Sequence, residues 1–246
     1  MRWLSVFVAA ILFNSLLGLS LSNLEFDLET GLVTTGYNDV AIPGDSGDRF
    51  SLSEDLSAEG NLFLRLRLNY SLSSRSELSL LYAPLTVISA GRLSEDIHFY
   101  GKNFTASNKI DATFVFNSYR LTYKYRLWQN KKWQFKLGFT AKIRDAEIRL
   151  ENDSISASKT NVGFVPIIYF SSRYQLTDKF NLELSGDALA APQGRAEDIL
   201  AAVFYRISPQ WQLKFGYRLL EGGADNDEVY TFSLFHYAVL GIKYRY

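Results

Sequence analysis

The chain contains no cysteine. This excludes a disulfide framework, a metal–thiolate centre, a catalytic thiol and a lipid-modified N-terminal cysteine. Histidine is nearly absent too, with only 2 residues, His98 and His236. Charge of either sign in excess is lacking: 26 Lys+Arg stand against 26 Asp+Glu, so no basic surplus points to nucleic acid. Beyond the first residues no uninterrupted apolar run approaches the length of a membrane-spanning helix. Nucleotide-binding and zinc motifs are missing as well. Mean hydropathy is −0.06, far below that of a helical membrane protein. A barrel that turns only alternate residues to lipid averages out near neutral.

What the chain has in plenty is aromatic side chains, 15% of residues, with Tyr 15 and Phe 18. The closing stretch Val229–Tyr246 arranges them by strict alternation. One face reads Tyr230, Phe232, Leu234, His236, Ala238, Leu240, Ile242, Tyr244, Tyr246. The other reads Thr231, Ser233, Phe235, Tyr237, Val239, Gly241, Lys243, Arg245. The first face is apolar throughout and aromatic at both ends, as a bilayer-spanning β-strand requires. At the other end of the chain, Met1-Arg2-Trp3, the apolar run Leu4–Leu17 and the small residues of Ser20-Leu21-Ser22 read as a secretory signal peptide over residues 1–22. Residues 23–246 then form one barrel domain.

About ten segments between Leu24 and Tyr246 alternate with period two. Leu62, Leu64, Leu66, Leu68 and Tyr70 share a face opposite Arg65, Arg67 and Asn69. Tyr119, Leu121, Tyr123, Tyr125 and Leu127 do so against Arg120, Thr122, Lys124 and Arg126. Short connections (71–76, 128–132, 177–179, 208–210) alternate with longer ones (38–60, 91–111, 148–159, 190–197, 221–228). That asymmetry predicts an all-β, antiparallel up-and-down transmembrane barrel with its long loops outside. Trp128, Trp133 and Trp211 all flank short turns; with Tyr244 and Tyr246 they form one interfacial belt on the periplasmic side. Pro166 falls within a strand and Pro84 at the top of another, so breaks are expected at both. The segment around Ala201 and Ala202 has a poor pattern, which keeps an eight-strand count as the alternative.

The non-lipid face carries the charges. Bases include Arg65, Arg67, Arg120, Lys124, Arg126, Lys136, Lys142, Arg173, Lys214, Arg218 and Lys243; acids include Glu25, Asp27, Glu29, Glu77, Glu183 and Asp187. A narrow barrel is filled by its own side chains. Buried charges need partners. The expected interior is therefore salt-bridged and largely plugged, with a structural or surface-interaction role. Because bases outnumber acids, a porin-like narrow channel for small anions is the first alternative.

The outer loops are acidic, most densely at Glu221-Gly222-Gly223-Ala224-Asp225-Asn226-Asp227-Glu228. No cofactor is expected; the exception is a divalent cation held by these carboxylates, though the run lacks full EF-hand spacing. A second alternative is a lipid-modifying enzyme working at the outer rim. Its candidate residues are His98, beside Ser94, Glu95 and Asp96, with Arg144, Arg195 in the 193–198 loop, and Asp225, Asp227 and Glu228. His236 faces outward near the upper interface, which argues against a buried general base.

These residues resemble the small outer-membrane β-barrel proteins of Gram-negative bacteria. The resemblance rests on the leader, the alternating strands and the end Gly241-Ile242-Lys243-Tyr244-Arg245-Tyr246. It implies recognition of the C-terminal strand by the barrel-assembly machinery, which usually prefers a terminal Phe; Tyr246 departs from that. The segments Phe116-Asn117-Ser118-Tyr119-Arg120-Leu121 and Glu221-Gly222-Gly223-Ala224-Asp225 look like those of a barrel family with no assigned activity, and so imply none. Motifs of the outer-membrane aspartyl proteases and of the lipid A acyltransferase and deacylases are not found. The expected partners are outer-membrane lipid and lipopolysaccharide and the assembly machinery, with no nucleic acid and a monomeric state.

Overall fold

A computed structural model describes residues 20–192 and 194–246. The expected signal peptide, residues 1–22, lies almost wholly outside the described residues. The wall of the molecule is a closed antiparallel barrel of ten strands, counting the two ladder segments beside Pro84 as one and leaving out two short strands of two residues each. They are β1 (Leu24–Ala41), β2 (Asn61–Ser71), β3 (Ser76–Ala83, continued by Thr86–Gly91), β4 (Ile110–Gln129) and β5 (Trp133–Glu151). The second half comprises β6 (Ser156–Gln175), β7 (Phe180–Ala191), β8 (Gly194–Arg206), β9 (Trp211–Asn226) and β10 (Val229–Arg245). Each strand pairs with its neighbours in sequence, and β1 closes on β10 from Glu25↔Arg245 to Ala41↔Tyr230.

Period-two alternation explains the two faces. The outward set is exposed and apolar around the whole belt, as in Leu64, Leu80, Leu121, Phe139, Ile168, Phe215 and Leu240. In a membrane this exposure is contact with acyl chains. The tryptophans sit at one rim and pack at a tilt against neighbouring rings: Trp133 against Tyr174 at 4.6 Å and Trp211 against Tyr244 at 4.5 Å between centroids. Tyr246 packs edge-on against Tyr244, at 5.3 Å.

The opposite rim departs from expectation. Three of the five long connections are mostly strand. β5 and β6 run on to Glu151 and from Ser156, β7 and β8 meet at Ala191 and Gly194, and β9 and β10 turn between Asn226 and Val229. The reason is a change of solvent, not of backbone: above the lipid belt the outward face of β5 becomes Asp145, Glu147, Arg149 and Glu151 while the ladder continues. Only residues 42–60 and 92–109 are long loops. They fold over the barrel and bury Ile42, Phe50, Leu56, Phe99 and Phe104 in an apolar outer core with Ile110 and Leu150.

Both prolines mark interruptions. Pro84 separates the two halves of β3. Pro166 remains paired with Ala141 of β5, but the β6–β7 ladder ends two residues away at Ile168↔Ala188. The poorly patterned segment is β8, fully paired on both sides, so the count is ten and not eight.

Candidate functional site

Inward-facing residues divide the interior into two levels. The lower level is ionic. Its hub is Asp198 on β8, which receives guanidinium groups from three other strands. Arg65 Nη2 of β2 and Arg120 Nη2 of β4 each lie 2.7 Å from Oδ2, and Arg218 Nη1 of β9 bonds Oδ1. Arg120 Nη1 also reaches Asp187 at 2.7 Å, and Thr140 donates its hydroxyl to the same carboxylate. Glu29 binds Arg218 at 2.8 Å and Lys214 at 2.7 Å, and Arg65 Nε lies 3.5 Å away. Nearer the tryptophan rim, Lys243 bridges Asp27 and Glu25 at 3.4 and 3.8 Å, Arg173 pairs with Glu183 at 2.8 Å, and Glu77 takes Lys124 and Lys136 at 2.6 and 2.9 Å.

The charges named from sequence thus meet across the barrel, with three exceptions. Arg67 donates to the Ser79 hydroxyl at 3.1 Å, Arg126 donates to the Ser74 carbonyl, and Lys142 approaches the Phe116 ring. None of the three forms an ion pair among the described residues. The sequence pattern puts Asp198 in the 193–198 loop at the outer rim; it lies at the centre instead. The phase Ala196, Asp198, Leu200, Ala202, Phe204 of β8 carries that information, but Ala and Asp at its head mask a strand start.

Above this layer the interior turns apolar. Phe63 meets Tyr237 edge-on at 4.9 Å, and Phe114 meets Phe235 at 5.7 Å. On the β5–β9 side the outer core leaves a cavity of about 900 Å³ that opens outward. A smaller, polar cavity of about 390 Å³ lies below the Asp198 layer and includes Ser185 and Lys243 in its lining. Sequence reasoning missed the upper cavity. Its signal was the inward face of β10, which changes from Lys243 through Val239 and Tyr237 to Phe235.

The six outer residues singled out from sequence do not form one centre. Arg144 faces inward, where its Nη2 donates to Asn161. Arg195 faces outward and binds Glu221 at 2.7 Å, and Tyr37 donates to the same carboxylate. Those bonds to Glu221 hold the Arg195 guanidinium above its ordinary value. His98 sits in the second long loop, where its backbone N–H donates to Asp48 at 2.6 Å. Its ring makes no hydrogen bond to Ser94, Glu95 or Asp96 among the described residues. Asp225 is the last residue but one of β9, Asp227 and Glu228 form the turn after it, and Lys159 lies 3.6 Å from Glu228. Several loop acids cap backbone N–H groups rather than face one another, as Asp55 does for Ser51 and Asp96 for Ala106. Among the described residues no group of three or more His, Asp or Glu side chains converges as metal ligands would. His236 faces outward and hydrogen-bonds Tyr217.

No family model matches the chain, and no curated protein matches it in sequence. Similarity to solved structures is plain. The outer membrane protease OmpT from Escherichia coli superposes with a TM-score of 0.61 at 9% identity, over 91% of this chain and 97% of that one. The translocator domain of the autotransporter NalP from Neisseria meningitidis gives a TM-score of 0.44 at 12% identity, over 98% and 97%. Ail, the attachment invasion locus protein of Yersinia pestis, gives 0.40 at 11%, over 90% and 98%. What is shared at such identity is the fold, that of the Gram-negative outer-membrane β-barrel. The closed wall and its lipid-facing belt place this chain in that membrane.

Proposed function

We propose that this barrel carries no ion path and works at its outer end, by binding rather than by transport. The observation that supports this is the Asp198 layer. One carboxylate gathers guanidinium groups from β2, β4 and β9, and Glu29 and Asp187 extend the same layer to β1 and β7. An ion crossing the barrel would have to displace buried pairs that are fixed by charge and by geometry. The excess of bases does not favour an anion channel, because each base of this layer already faces an acid.

Catalysis at the rim has no comparable support: among the described residues the His98 ring bonds none of Ser94, Glu95 and Asp96, and Asp96 caps the Ala106 N–H. The partners follow from the surfaces. Outer-membrane lipid and lipopolysaccharide contact the outward face, and the assembly machinery engages β10 with Tyr246 just beyond it. The apolar belt runs round the whole circumference, as suits a monomer surrounded by lipid.

Purified protein reconstituted into planar bilayers should give no steady conductance steps in salt solution. Regular anion-selective steps would contradict the proposal in favour of the channel.

A further inference from the structure

We infer that the upper cavity is a binding site for a single-chain anionic amphiphile, with its head group seated on Lys142 and Arg144 and its chain lying against the apolar upper wall. The inference rests on the reading above in one respect: with the lower level closed, the ligand enters from the outer side.

The argument begins with Lys142. It projects inward from β5, just above the ion-pair layer, and is only 3% exposed. Its ammonium has no hydrogen bond or ion pair among the described residues; what it does approach is the Phe116 ring, 4.7 Å from the centroid. The acids beneath are already taken, Asp187 by Arg120 and Thr140, and Asp198 by Arg65, Arg120 and Arg218. Arg144, the next inward residue of β5, reaches Asn161 with one nitrogen and leaves its buried Nε unpartnered. Burying a charge without a partner is costly, so Lys142, with the half-buried and incompletely partnered Arg144 beside it at the floor of a cavity, calls for an anion.

The acids of the same wall do not supply it. Glu147 binds Arg149 and Ser158, and those bonds, the Ser158 hydroxyl foremost, hold its carboxyl below the ordinary value. Glu221 is paired with Arg195, and Glu228 with Lys159. Asp227 stands at the outer mouth, in the β9–β10 turn. The unmatched charge at the deep end is therefore positive.

Much of the remaining wall is apolar, formed by Phe116, Val165, Leu189, Leu220 and Phe235, with Ala196 leaving the space; Asn161, Thr231 and Ser233 are among its polar members. Its volume, about 900 Å³, lies within the ordinary range for a small-molecule site. An aqueous anion such as phosphate would leave this wall wet, whereas a hydrocarbon chain covers it.

The strand ladder supplies the entrance. β6–β7 pairing stops at Ile168↔Ala188, although β6 continues to Ser156 and β7 to Ala191. Along the parted seam Val162 and Phe164 are 71% and 65% exposed. Phe164 pairs with Ile143, at the upper edge of the lipid belt. An open strand edge facing lipid is unfavourable unless something covers it. A chain threaded there would cover it, and would come from the outer leaflet.

The test uses the full barrel in phosphatidylcholine nanodiscs with cis-parinaric acid, a fluorescent long-chain carboxylate, against empty discs of the same lipid. The expected result is saturable binding above the empty-disc level. Lys142→Met should weaken it about tenfold, Lys142→Arg should restore it, and Ala196→Trp should abolish it by filling the cavity. The long-chain alcohol should compete poorly with the wild-type protein and no worse with Lys142→Met. Competition by palmitate points to a free fatty acid and competition by a monoacyl phosphate to a lysolipid. Either supports the inference, and displacement by neither overturns it. Binding that is absent, or indifferent to both Lys142→Met and Ala196→Trp, also overturns it. Bilayer recordings on the same samples separate the two readings: conductance with Lys142-dependent binding ends only the closed-barrel proposal, and silence without binding ends only this one.

Discussion

Asp198→Ala is expected to cost about 3–5 kcal/mol of barrel stability, measured by urea unfolding in lipid vesicles. The carboxylate is almost wholly buried and holds Arg65, Arg120 and Arg218, each no more than about 5% exposed. Removing it leaves three guanidinium groups from three strands facing one another around a void. Glu29 remains to Arg65 and Arg218 and Asp187 to Arg120, so two carboxylates are left for three cations, and the loss is that of one uncompensated buried cation rather than of the whole cluster. The penalty comes from the cations left behind. Asp198→Ala combined with Arg120→Met, which removes charge of both signs, should therefore recover part of the loss. A single-variant cost under about 1 kcal/mol, in the range of exposed pairs, would mean that water reaches the hub.

The second large effect is on the outer face. Leu121→Arg should destabilise the barrel by about 2–4 kcal/mol in a bilayer, the depth-dependent cost of a cation near the membrane midplane. Leu121 is an outward residue of β4 between Leu80 of β3 and Ala141 of β5, well inside the lipid belt. Asn117→Arg is the control on the same face of the same strand. Asn117 lies above the belt, where its side chain bonds Asp145, so the same new charge should cost about 0–1 kcal/mol. Equal costs at the two positions, by the same vesicle unfolding measurement, would remove the membrane boundary drawn here.

The fold was legible wherever lipid imposed a two-residue period. Leu62 to Tyr70 and Tyr119 to Leu127 gave strand, face and register directly, and the tryptophans gave the rim. Legibility failed where the outward solvent changed from lipid to water. Asp145, Glu147 and Arg149 continue β5 with the same geometry, but the polar residues now face outward and the apolar Ile148 and Leu150 face inward, the reverse of the alternation in the lipid belt. The charges of the lower interior were legible because an ionisable residue in register with a lipid-facing strand has nowhere else to point. Their hub was not, because Asp198 lies in a strand whose outward residues include Glu197 and Ala201. The upper cavity was hidden for a different reason. Space is made by what is small, such as Ala196, and by a ladder that parts at Ile168↔Ala188, and neither leaves a pattern in one chain. Lys142 was visible as an inward base, but its lack of an acid partner is a three-dimensional fact.

The most direct test of a divided interior uses the absence of native cysteine. Ala146→Cys places a single thiol in the upper cavity, and Ser185→Cys places one below the Asp198 layer. Intact cells are treated with a membrane-impermeant sulfonated maleimide, and the extent of labelling is read by mass. The division predicts modification of the Ala146→Cys thiol from outside, and of the Ser185→Cys thiol only after the periplasmic side is exposed. Labelling of the Ser185→Cys thiol from outside at a comparable rate would contradict it.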